Sequence, residues 1–256
     1  MKKINHKLLA ESTIKIAHHQ DDVHAALTDV ITEYFPLPES DYLNMNLEAY
    51  RALMLQAQMF LVERGFMLLI VNSIRSTLVE YLGTSQFLVQ SNLYLRASRP
   101  GMPRHYENID WHRESFYGPN LEKSVNIWTP IQGVTPKNSL RYIPRSHAIP
   151  DDQIITYNEG CSVTPRYSTG HKLGFNYDPK VIESGVDLEN AQTLMVPEKS
   201  SAIFSGNLIH GAATNLDSKI RFSVDFQVIR KADYSVSNKK FHFSSGKPYF
   251  VAIEAH

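Results

Sequence analysis

The sequence predicts a mainly β protein whose helical N-terminal third packs outside a closed sheet. Three observations carry that reading. Apolar residues recur at helical spacing up to about residue 85, they alternate with a period of two from about residue 88, and polar side chains share one face of the longest alternating run. With 256 residues and neither an internal repeat nor a flexible linker, the chain reads as one domain over 1–256: a mostly helical part at 1–85 and a β core at 88–230.

In "DDVHAALTDVITEYF" the residues Val23, Ala26, Leu27, Val30, Ile31, Tyr34 and Phe35 form one stripe of an amphipathic helix, which "PLP" ends. A second helix is expected from Leu47 to Arg64, with Asn46 as its cap and Gly65 at its left-handed stop. "FMLLIV" reads as a short buried strand, and "NSIRSTLVEYLG" as a third helix closed by Gly83. "SNLYLRAS", "SVNIWTPI" and "SLRYIP" read as strands, the last two joined by the turn-rich "GVTPKN". "SSAIFSGNLIHGAAT" and "KIRFSVDFQVI" read as a hairpin around "NLDS". In its second arm Ile220, Phe222, Val224, Phe226 and Val228 share one face. Arg221, Ser223, Asp225 and Gln227 share the other, which faces water or lines a wet cavity. Residues 150–195, rich in Gly, Asn, Asp and Tyr, are a candidate lid or a long polar loop.

Composition narrows the function. Lys+Arg and Asp+Glu both number 26, so no basic footprint for nucleic acid exists. A single cysteine, Cys161, suits a reducing compartment, and neither a signal peptide nor a membrane span is evident. The expectation is a cytoplasmic protein that handles a small molecule.

"RHYENIDWHRESFYG" holds the pattern H-x-E twice, as His105–Glu107 and His112–Glu114. On an extended chain, residues two apart point the same way, so either pair could offer one nitrogen and one oxygen to a metal ion. His210, flanked by the small residues Gly211, Ala212 and Ala213, is the strongest third ligand, and only a closed sheet could bring it alongside. Arg221 follows eleven residues later, and Ser223 lies on its face. A guanidinium fork plus a hydroxyl suits a carboxylate. Strand alternation adds Tyr94 and Asn126 as pocket candidates, and Trp128 as core and pocket wall.

H-x-E, a distant His, then R-x-S resembles the iron(II)- and 2-oxoglutarate-dependent dioxygenases, and within them the phytanoyl-CoA dioxygenase-like family. "FLVERGFMLLIVNSIRSTLVEYL", "WHRESFYG", "LRYIPRSH" and "SGNLIHGAATNLDSKIRFS" carry the likeness over roughly residues 60–225. The resemblance implies a double-stranded β-helix (jelly-roll) core with the N-terminal helices outside it. It also implies Fe(II) held by His112, Glu114 and His210, with His105 and Glu107 left to a solvated or substrate-facing loop. The co-substrates would be 2-oxoglutarate, held by Arg221 and Ser223 with help from Trp128, Asn126 or Tyr94, and O2. The activity implied is hydroxylation of a small organic metabolite, with decarboxylation of 2-oxoglutarate to succinate. Two departures stand out: relatives mostly carry Asp where this chain has Glu114, and often a hydroxyl residue at the place of Ala212. Glu114 also occupies the place that related halogenases leave to halide. His147 in "PRSH" reads as a structural turn residue. The competing readings are a non-catalytic or zinc-holding jelly-roll protein and a metal-dependent hydrolase or isomerase of the cupin kind. Arg221 argues against both.

Overall fold

The computed structural model describes residues 14–159, 164–175, 179–242 and 246–253; Cys161 and the side chain of His105 lie outside them. A strand absent from the sequence reading, β1 (Ile14–His18), comes first. Five helices follow: α1 (Asp21–Tyr34), α2 (Glu39–Leu43), α3 (Leu47–Glu63), α4 (Phe66–Ser73) and α5 (Arg75–Leu82). The expected stripe of α1 is buried at Val23, Leu27, Val30 and Ile31. Asn46 caps α3, its side-chain oxygen accepting from the Ala49 N–H at 2.9 Å, and Gly65 and Gly83 take φ of 72° and 69°.

"FMLLIV" is helix α4, not a strand. The left-handed turn at Gly65 starts a second helix at once, and Phe66, Ile70 and Val71 bury one helical face against α3. A continuous apolar run carries no period, so packing decided its state. Among the described residues no single helix is long and apolar enough to cross a membrane.

The strands after α5 are β2 (Phe87–Gln90), β3 (Tyr94–Ser98), β4 (Ser124–Gln132), β5 (Leu140–Tyr142), β6 (Ile155–Asn158), β7 (Lys180–Ser184), β8 (Gln192–Thr193), β9 (Ser200–Ser205), β10 (His210–Ala212), β11 (Arg221–Arg230) and β12 (Phe250–Ala252). The major sheet runs β1-β9-β4-β11-β2-β12, with β3 also on β11; the minor sheet runs β10-β5-β8; β6 and β7 form a ribbon. Each recorded pairing is antiparallel. This is the double-stranded β-helix with helices packed outside.

The apolar face of β11 joins the helices in one core. Phe222, Val224, Phe226 and Val228 pack with Leu27, Ile31, Met54 and Leu61, and Phe35 meets Phe222 edge-on at 4.8 Å. Each such side chain contributes about 1.5–3 kcal/mol by leaving water. The polar face of β11 turns inward to a cavity of about 290 Å3, walled by strands of both sheets. Of the two alternatives for that face, the wet cavity is the one realised.

The expected hairpin of the His210 and Arg221 strands does not form. β9 belongs to the major sheet, β10 crosses to the minor sheet to pair with β5, and β11 returns to the major sheet. Asn215 holds the crossing, its amide donating to the carbonyls of Ser98 and Lys219 at 2.7 Å each. The 150–195 stretch is more regular than its composition suggested, for it contains the β6–β7 ribbon. Its part 169–175 is pinned to the body: Gln58 donates to the Lys172 carbonyl at 3.1 Å and Arg96 to the Leu173 carbonyl at 2.9 Å.

Candidate metal centre and adjoining cavity

His112 and His210 meet through their backbones. They form an isolated antiparallel bridge in which each N–H donates to the other's carbonyl, at 2.9 and 3.0 Å. The bridge sets the two imidazoles 4.4 Å apart, centre to centre. Arg113 is extended (φ −140°, ψ 157°), and Glu114 opens a short 3-10 turn whose first N–H donates to the Gly206 carbonyl at 2.7 Å. The intervening Arg113 points away and clamps the Ile149 carbonyl and Asp151. One ligand atom from each of His112, Glu114 and His210 lies within 4.8 Å of the others, and all three residues are buried.

Both imidazoles are prepared as donors. Nδ1 of His112 lies 2.7 Å from the Asp110 carbonyl, and Nδ1 of His210 lies 2.9 Å from the Leu208 carbonyl. A carbonyl only accepts, so Nδ1 carries the proton and Nε2 presents its lone pair. Burial lowers the pKa of His112 to about 4 and that of His210 to about 3, so both rings are neutral. Burial raises Glu114 to about 7, with Asp225 adding to the shift and the nearby amides of Asn126 and Gln227 opposing it. Two neutral nitrogens and one carboxylate without an arginine or lysine ion-pair partner among the described residues suit a divalent metal ion.

The cavity extends from these three side chains to Arg221, which is 1% exposed. Its Nη1 donates to the Asn138 carbonyl at 2.7 Å and its Nη2 to Asn108 Oδ1 at 3.0 Å, while Nε has no partner. Among the described residues no carboxylate lies within ion-pair distance of it. Burial lowers its pKa to about 10, and Arg96 adds to the effect. A buried cation without a counter-charge is costly, and a ligand carboxylate would satisfy it.

The other residues chosen from sequence are distributed as follows. Tyr94, Asn126 and Trp128 line the cavity, and the indole N–H of Trp128 has no acceptor. Ser223 shares the strand face of Arg221 and its hydroxyl is unpartnered, but it is fully buried beneath the cavity lining. Gly174, at φ 83°, lets the 169–175 turn press on the Tyr94 ring, where an added Cβ would come within 2.7 Å. Glu107 is not solvated. It is 0% exposed and takes Arg99 Nε at 2.5 Å and the Arg99 backbone N–H at 2.8 Å.

Several lining residues escaped the sequence reading. Arg96 holds Asp225 through Nε at 2.7 Å and Nη2 at 3.2 Å, inside the cavity. Asp225 lies on the β11 face that the sequence offers to a wet cavity, and alternation with Tyr94 could have placed Arg96 there too. Asn108, His242 and Tyr249 carry no such signal. In the "PRSH" turn it is Ser146 that matters for the site, its hydroxyl accepting the Ile209 N–H at 2.8 Å just ahead of His210.

Several solved structures are similar to this chain. The apo form of ThoJ, a non-heme monooxygenase, is similar with a TM-score of 0.50 at 16% identity, over 87% of this chain and 77% of its own. SnoK, a non-heme alpha-ketoglutarate-dependent carbocyclase from nogalamycin biosynthesis, has a TM-score of 0.49 at 11% identity, over 90% and 84%. AviO1 from Streptomyces viridochromogenes Tue57 has 0.49 at 13% identity, over 90% and 95%. No curated protein matches the chain in sequence. The family model described as phytanoyl-CoA dioxygenase matches residues 5–223, which include all three candidate ligands and Arg221, and the chain belongs to that family.

Proposed function

We propose that the protein is an iron(II)- and 2-oxoglutarate-dependent oxygenase that hydroxylates a small organic molecule. The observation that carries this reading is the pairing, in one cavity, of two neutral Nε2 donors and a carboxylate with a buried guanidinium that lacks a counter-ion. His112, Glu114 and His210 would hold the iron. Bound there, iron(II) supplies the activation of dioxygen that couples decarboxylation of 2-oxoglutarate to oxidation of the substrate.

The chain's own part is binding, orientation and exclusion of water. Arg221 takes the remote carboxylate of 2-oxoglutarate in a charge-assisted bond, while Asn108 and the Asn138 carbonyl hold the fork in place. Trp128 offers its free N–H from the neighbouring strand, and Ser223 lies buried on the strand face of Arg221. The side-chain amides of Asn126, whose Nδ2 is unpartnered among the described residues, and of Gln227 lie beside the Glu114 carboxylate and would orient it. Phe204, edge-on to His210 at 4.9 Å, and Tyr117 exclude water around the imidazoles. The 169–175 turn is a fixed wall in this reading, since α3 and Arg96 both grip it. The cavity draws on residues from 94 to 249, so the chain acts as one catalytic domain.

Anaerobic addition of 2-oxoglutarate to the iron(II)-loaded protein should produce a weak visible charge-transfer band, and exposure to air should then yield succinate. A protein that binds iron but gives neither signal overturns the proposal.

A further inference from the structure

We propose that the C-terminal hairpin arms, residues 240–242 and 247–249, are the substrate-recognition element, and that they select an uncharged, ring-bearing molecule through a hydrogen bond to His242 Nε2. This rests on the oxygenase reading of the cavity and names the class of its substrate. The family match ends at residue 223, so membership assigns these residues no role. Yet Lys240, Phe241, His242 and Tyr249 all line the cavity that holds the metal ligands.

The arms are built to hold position. His242 N–H donates to the Lys247 carbonyl at 2.9 Å, Tyr249 N–H to the Lys240 carbonyl at 2.8 Å, and Phe241 bridges Pro248. Ser91 ties the second arm to the major sheet, its hydroxyl donating to the Pro248 carbonyl at 2.6 Å and its N–H to the Tyr249 carbonyl at 2.8 Å. Next in sequence, β12 pairs with β2. The His242 ring lies stacked on Tyr249 at 4.5 Å and 15°, with Tyr94 edge-on at 6.4 Å. Stacking fixes the ring plane and leaves its edge to make hydrogen bonds. His242 is 6% exposed, and among the described residues its Nε2 has no partner. A buried polar atom left unpaired at a cavity wall is costly unless a ligand completes it. Burial lowers the ring's pKa to about 4, so it offers a neutral contact.

Charge balance sets the ligand class. Arg96 and Asp225 cancel each other within the cavity, and Arg221 is committed to the co-substrate. Lys240 has no carboxylate partner among the described residues, but it is exposed at the rim, where it donates to the Tyr117 carbonyl and offers an anion only a water-screened contact. A charged substrate would lose hydration without finding a counter-charge near the metal ligands. Tyr94, Phe175 and Tyr249 instead give aromatic surface for a ring.

The test titrates anaerobic protein, loaded with iron(II) and 2-oxoglutarate, with phenyl β-D-glucopyranoside and in parallel with phenyl β-D-glucuronide. Fluorescence of Trp111 and Trp128 reports binding. The neutral glucoside should bind about tenfold more tightly than the anionic probe. His242→Phe, which keeps the stack and removes Nε2, should weaken it about tenfold while iron and 2-oxoglutarate bind as before. Nitrogen-15 histidine spectra of the unmutated protein give a second readout, in which His242 Nε2 shifts on adding the glucoside. Equal or reversed preference, no binding of either probe, an unchanged affinity in the variant or an unmoved Nε2 signal each overturn the inference. Glucoside binding through His242 without 2-oxoglutarate binding would instead sink the oxygenase reading and leave the subsite standing.

Discussion

The two H-x-E tripeptides end in carboxylates that are both buried, yet the fold treats them in opposite ways. Glu107 is closed into a pair with Arg99, whose Nη1 also donates to the carbonyls of Tyr42 and Met45 and whose guanidinium lies 4.2 Å over the Tyr50 ring. That pair fastens the loop before the metal motif to the N-terminal helices. Among the described residues Glu114 has no arginine or lysine in ion-pair contact and lies 3.8 Å from a neutral imidazole, with burial holding its pKa up at about 7. Charge satisfaction therefore separates a structural carboxylate from one kept for a cation. Burial alone does not, since burial is also the largest cause raising the pKa of Glu107.

Exchanging their losses gives the largest expected effect. Glu114→Ala should abolish iron binding, measured by metal analysis after anaerobic loading, and leave the protein folded. Glu107→Ala should do the reverse, costing about 3–5 kcal/mol in urea unfolding because Arg99 is left buried and alone, while the folded fraction still binds one iron. Loss of iron in a folded Glu107 variant would erase the distinction. Arg221→Ala sharpens the contrast at the other end of the cavity. Losing a charge-assisted bond of about 1.5–3 kcal/mol should weaken 2-oxoglutarate by ten- to a hundredfold, read by titration, with iron affinity unchanged. Equal weakening of both ligands would place Arg221 among the metal's supports instead.

Much of this contrast was legible in the sequence, and its limits have physical causes. Alternation along β11 put Arg221, Ser223, Asp225 and Gln227 on one face, and the helix stripe of α1 and the Asn46 cap followed from local rules that tertiary packing did not override. The choice of His112 over His105 came from family likeness; no property of the tripeptides themselves distinguished them. What decides between them is the Arg99 pair and the backbone bridge to His210, both products of tertiary packing. The false hairpin has the same origin. Sequence neighbours usually pair, but a jelly roll hands successive strands to alternate sheets, and a crossing held by Asn215 resembles a hairpin turn at the level of residues. The unpatterned "FMLLIV" and the C-terminal arms carry no periodic signal at all.

The amides around Glu114 give the finest test of the comparison. Tyr249 donates its hydroxyl to Gln227 Oε1 at 2.9 Å, and this leaves the amide's NH2 for the Glu114 carboxylate beside it. If Glu114 is oriented for a metal ion by neutral donors, as Glu107 is neutralised by a cation, removing one donor should loosen the ligand without destroying the site. Gln227→Leu keeps the bulk and removes the amide, so iron affinity should fall toward the range of about ten- to a hundredfold seen for partners that orient a metal ligand. Competition with a chelator of known strength measures it. Co-substrate affinity should stay level, because Arg221 sits at the far end of the same strand face and makes its bonds to Asn108 and Asn138. An unchanged iron affinity would mean that Asn126 alone orients the carboxylate, and that the Tyr249–Gln227 link serves the substrate wall only.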